Sequence, residues 1–231
     1  MLPFQRINNQ LPHSSENPEF RLLALILFSY FFICFPLAQI YLKDSFFLQS
    51  HWPLFFFLPT LTILFFTDRL NFSQLGFSRP NSWRIRLGLV VGIIPVIAVI
   101  ALDLLLLKMG FAENDLFSGA ELRETPKLSI ITLLLNGILN PTISQIFITG
   151  YMLNILAKRN DLAIPGNGIL FAMMNFHLGI GYLGLGMVSA AILRFSGTLI
   201  PAIFFALGCS AAKLLILTSY PRITTLLVFL V

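Results

Sequence analysis

Apolar positions come in long unbroken runs, not at the period of an amphipathic helix or a half-buried strand. Leu22–Leu42 and Phe46–Thr67 contain no Asp, Glu, Lys or Arg, and Leu87–Leu107 contains only Asp103. Leu128–Ala157 is charge-free over 30 residues, and Thr198–Ser219 carries only Lys213. Each run is long enough to cross a hydrocarbon layer of ~30 Å at ~1.5 Å per residue. Leu162–Leu193 is too long for one crossing and too short for two with a turn. The glycines Gly179, Gly181, Gly184 and Gly186 mark where a turn could sit. Two short helices are expected here, about 162–178 and 183–193, which either cross fully or re-enter. The pattern predicts an all-α, polytopic membrane helical bundle of about six to seven hydrophobic helices. A polar segment (1–21) precedes a single transmembrane domain (22–231).

Composition agrees. The 231 residues are 57% hydrophobic and 11% charged. Soluble domains carry about 25% charged residues. The net charge of +5 is scattered between apolar runs and forms no basic face, so it points to no nucleic-acid partner. Cys34 and Cys209 fall inside separate apolar runs and imply no disulfide framework. The first apolar run exceeds a signal-peptide core and reads as a retained anchor. With the N-terminus on the cytoplasmic side, nine Lys and Arg fall inside and five outside. The loop Lys108–Lys127, which also holds Glu113, Asp115, Glu121 and Glu124, then lies outside.

Small residues suggest helix contacts: Gly88 with Gly92, Gly186 with Ala190, and Gly208 with Ala212. Pro95 and Pro141 are expected to kink their helices.

Candidate chemistry is sparse. Residues 128–231 contain one acid, Asp161, and one histidine, His177. Asp103 is the only acid inside a span, near its end, where it could simply reach the headgroups. His51 reads as interfacial beside Trp52. Cys209 reads as a small hydrophobe. A zinc site needs three or four His, Cys, Asp or Glu ligands, and no set with such spacing occurs. HExxH, GxSxG and P-loop patterns are absent.

Three stretches carry a resemblance: "NPTISQIFITGYMLNIL" (Asn140–Leu156), "GILFAMMNFHLG" (Gly168–Gly179) and "LGLGMVSAAILRFSGTLIPAIFFALGCSAAKLLI" (Leu183–Ile216). Together they resemble the CPBP family (CAAX proteases and bacteriocin-processing enzymes, also called Abi), which are intramembrane proteases. The preceding "LGFSRPNSWRIRLGLVVG" (Leu75–Gly92) resembles the stretch leading into the family's earlier span, so the resemblance covers roughly 75–216. It implies an intramembrane CAAX-type endopeptidase, in which a glutamate activates water. Histidines and an asparagine position that water or a divalent metal and stabilise the oxyanion.

The motif positions do not carry those groups. Where the family has Glu-Glu-x-x-x-Arg before Gly-Tyr, this chain has Ser144, Gln145 and Thr149 before Gly150 and Tyr151. Phe171 keeps the start of Phe-x-x-x-His, but Asn175 stands at the histidine position. The entry to His-x-x-x-Asn survives as Gly197-Thr198-Leu199 and Pro201-Ala202-Ile203, with Ala206 and Ser210 at the polar positions. His177 lies two residues past Asn175, about 200° round a helix, so it does not stand in for the lost imidazole.

Gln145 with Thr149, Ala206 with Ser210, and Asn175 could line a former active-site cavity as a binding surface. Alternatively, they could form a filled core in which amides bond between helices. The leading expectation is a non-catalytic CPBP relative, without a cofactor, that binds a membrane peptide or protein within the lipid bilayer. An active CAAX-type metallo-endopeptidase using His177, Asp103 or Cys209 is the alternative. A small transporter is weaker, because no span carries paired charges.

Overall fold

The computed structural model describes residues 18–70, 72, 75–77, 82–110, 130–156, 163–176, 179–219 and 223. Among them are seven helices and no strand. α1 runs from Pro18 to Tyr41, with a π-helical stretch at Ser29–Cys34. α2 is Phe46–Phe66, started by Ser45, whose side chain accepts from the Leu48 N–H. α3 is Ser82–Lys108 and contains Pro95 without ending there. α4 runs from Ile130 to Leu156, with π-helical stretches at Leu135–Leu139 and Gln145–Met152 flanking the turn that holds Pro141. Proline removes a backbone donor, and π-turns are a usual way for a helix to absorb that loss. α5 is Ala163–Met174, α6 Ile180–Ser196 and α7 Ile200–Ser219.

The long charge-free runs thus became helices close to their expected bounds. The run 162–193 differs. α5 ends at Met174, a turn begins at Asn175 and Phe176, and Gly181, Gly184 and Gly186 lie inside α6 instead of forming that turn. Phe176 makes the turn in a left-handed conformation, φ 52°. That is a strained choice for a bulky side chain, costing roughly 1–3 kcal/mol. Its ring is held by an aromatic cluster from α1 and α2: it stacks on Phe35 at 3.8 Å and lies within 6 Å of Tyr30, Phe31 and Trp52. The Tyr30 hydroxyl donates to the Met174 carbonyl. The first two helices, which the sequence marked only as hydrophobic, therefore clamp the α5–α6 turn.

Connections gather alternately at the two ends of the bundle. The Leu199 N–H donates to the Gly76 carbonyl at 2.9 Å, tying the α6–α7 link to the α2–α3 link. Gly150, near the end of α4, faces both Leu75 and Leu199. The first turns of α1 pack on Leu153–Leu156. The start of α1, the end of α2, the start of α3, the end of α4 and the α6–α7 link thus share one end, called basal here. α5 leaves from that end and α6 returns to it, so together they form a hairpin.

α3 and α7 run parallel in close contact. A Cβ on Gly88 would meet Phe204, and one on Gly92 would fall 2.7 Å from the Phe204 carbonyl oxygen. A Cβ on Gly208 would collide with the Gly92 carbonyl. The GxxxG pair is thus a packing device, as read from the sequence. The pair Gly186 and Ala190 is buried in the hairpin, where Gly186 meets the backbone of Asn167 and Gly168.

Candidate functional site

The site is built on α4. Its π-helical stretch from Gln145 carries a buried face in the middle of the bundle. Gln145 and Thr149 are fully buried, 0% exposed, as are Asn167 on α5 and Ser189 on α6. These four side chains are joined. Gln145 Nε2 donates to Ser189 Oγ at 2.8 Å. Thr149 Oγ1 donates to Gln145 Oε1 at 2.8 Å. Asn167 Nδ2 donates to Thr149 Oγ1 at 3.1 Å and to the Gly186 carbonyl at 2.7 Å. Both ends of the Gln145 amide are engaged, and the chain of bonds ties α4, α5 and α6 together. Asn167 Oδ1 has no hydrogen-bond partner among the described residues.

The close approach of α5 and α6 makes this possible. A Cβ at Gly186 would lie 2.5 Å from the Asn167 carbonyl oxygen and 2.8 Å from Gly168 Cα. Only glycine at 186 lets its carbonyl reach the Asn167 amide.

The other motif positions are not drawn into this network by any hydrogen bond. Ser144 Oγ donates to Asn140 Oδ1 at 3.3 Å within α4. Asn175 Nδ2 donates to the Phe171 carbonyl at 2.8 Å, in its own helix. Ser210 Oγ donates across to the Asn136 carbonyl at 2.6 Å, in the first π-helical stretch of α4. Ala206 is buried. Of the six motif positions, Gln145 and Thr149 are directly bonded. Asn167 and Ser189 complete their network, and the sequence reading passed over both.

The remaining candidates stand apart. His51 is buried in α2, five residues from its start. Asp103 is buried on α3, five residues from its end. Cys209 is half-buried on α7. His177 and Asp161 lie outside the described residues. Among the described residues, no three His, Cys, Asp or Glu side chains gather as a metal-binding group. The divalent metal that the CPBP resemblance implies does not fit the motif positions. They offer amides, hydroxyls and a methyl where such a metal takes imidazole, thiolate or carboxylate.

Residues 126–212, just over a third of the chain, match the model of a protein family described as Type II CAAX prenyl endopeptidase Rce1-like. That segment spans α4 to α7, where the scaffold letters carried the CPBP resemblance. No curated protein and no solved structure matches the chain. The family segment and the apolar helices together make this an integral membrane protein. α3 carries a window of mean hydropathy 2.9 of which only 17% is buried, the opposite of a soluble core helix.

Proposed function

We propose, from its CAAX-endopeptidase-like segment, that this chain is a non-hydrolysing relative of those proteases. It sits in the bilayer with its N-terminus cytoplasmic and acts by associating with another membrane peptide or protein. The observation that carries this reading is the Gln145 amide. It occupies the position of the family's water-activating glutamate, is fully buried, and is bonded at both ends. An amide cannot take a proton from water at neutral pH, and loss of a general base costs roughly 10²–10⁴ in rate. Ala206 and Asn175 supply no imidazole, so stabilisation of a developing oxyanion is lost as well.

The test is direct. The purified protein in nanodiscs is incubated with prenylated CAAX peptides, with and without zinc, and products are read by mass spectrometry. No product above the empty-nanodisc blank is expected. Metal-dependent cleavage that disappears in His177→Ala would instead establish a peptidase working through residues outside the family motif.

A further inference from the structure

The topology brings scattered arginines to one rim. Arg21 opens α1, Arg69 follows α2, Arg84 and Arg86 open α3, and Arg194 ends α6. All five therefore stand at the basal end. Arg84 is half-buried, and the other four are exposed. The opposite end carries Lys43 and Lys108 among the described residues. Arg84 lies beside the turn that follows Arg194. Arg84 Nη2 lies 3.9 Å from where a Cβ on Gly197 would sit, and Gly197 is three residues past Arg194. Gly197 takes φ +66° to end α6, its N–H donating to the Leu193 carbonyl, and so turns the chain sharply beside Arg84. The same rim carries exposed aromatic rings: Phe20, Trp83 and Phe195. Aromatic rings and arginines at one depth match the boundary between headgroups and acyl chains.

We propose that Arg84 and Arg194 together bind the headgroup of an anionic phospholipid. The guanidinium fork pairs with phosphate oxygens in a bidentate way that an ammonium does not. The flanking apolar rings pack on the proximal acyl chain. The proposal rests on the membrane-embedded fold and is independent of whether the chain cleaves peptides.

Trp83, 60% exposed and adjacent to Arg84, is a built-in reporter. Trp52→Phe leaves it as the only tryptophan. The full chain is reconstituted in vesicles of phosphatidylcholine containing brominated phosphatidylglycerol or brominated phosphatidylcholine at equal mole fraction. Stronger quenching of Trp83 by the anionic lipid is expected, weakening as salt is raised. Arg84→Gln with Arg194→Gln should lower the preference roughly five-fold per arginine, whereas Lys43→Gln should leave it unchanged. Equal quenching by the two lipids in the unmodified rim would overturn the proposal. So would a preference untouched by the double change, or one abolished by inorganic phosphate at millimolar concentration, which would indicate a soluble anion as the ligand. Native mass spectrometry of the unmodified chain with mixed lipids gives a second readout that does not depend on the variants folding.

Discussion

At the scale of single residues, Gln145 shows what happens when a charged position becomes neutral in a dry place. A buried amide is tolerated only when its donors and acceptor are satisfied, and here Ser189 and Thr149 supply that. Gln145→Leu keeps the approximate volume and removes both bonds. It is expected to cost about 1–2 kcal/mol, because the freed hydroxyls find only partial replacements. Gln145→Ala adds a cavity and should cost more, about 2–4 kcal/mol. A double-mutant cycle with Ser189→Ala, read by denaturation in mixed micelles, should give a coupling of about 0.6 kcal/mol, the average for interhelical hydrogen bonds in bilayers, and no more than about 1.7 kcal/mol. A coupling near zero would mean that the bond does not hold α4 to α6. The Gln145–Thr149 pair was legible beforehand, because residues four apart on a helix meet. Asn167 and Ser189 were not, because only the tertiary approach of α5 and α6 brings them to α4. One clue was present: an asparagine between two glycines in an otherwise apolar helix.

At the scale of elements, hydropathy alone placed five of the seven helices, because a bilayer demands long, fully bonded apolar segments. It misplaced the hairpin turn because glycine has two uses. In water it punctuates chains; in lipid it more often lets helices touch. Gly186 has the second use, and the turn went to Asn175 and Phe176, where aromatic packing from α1 and α2 offsets the strain at φ 52°. The glycines are accordingly unequal. Gly208→Ala drives a methyl into the Gly92 carbonyl, backbone against backbone, and should destabilise the α3–α7 pair by about 1–3 kcal/mol or more. Gly184→Ala meets nothing within 4 Å and removes a flexible residue from the middle of α6. It should be neutral or stabilising by about 0.5–1 kcal/mol. Melting temperatures of the two variants in one detergent decide this. Similar losses in both would show that the close α3–α7 contact is not what distinguishes Gly208.

At the scale of the whole molecule, the α5–α6 hairpin does not reach as far as its neighbours. Its turn packs against Phe35 and Trp52. α1 continues six residues past Phe35, and α2 begins six residues before Trp52. At 1.5 Å per residue the turn lies about 9 Å inside the end of the bundle opposite the basal one. α5 itself, with 12 residues, spans about 18 Å, too short to cross alone. The hairpin thus starts and ends at the basal end, and its turn stops short of the far ends of α1 and α2, which leads us to expect a re-entrant pair. Single cysteines in a background lacking Cys34 and Cys209 can check the depth. An impermeant maleimide added to sealed vesicles of known orientation should label Lys43→Cys from one side and Arg69→Cys from the other. Ile180→Cys, next to the turn and 77% exposed to its surroundings, should react from neither side until detergent and denaturant open the membrane. If it reacts at the rate of Lys43→Cys from the same side, the hairpin crosses the bilayer. The buried Gln145 network would then lie along a full transmembrane pair instead of behind a re-entrant one.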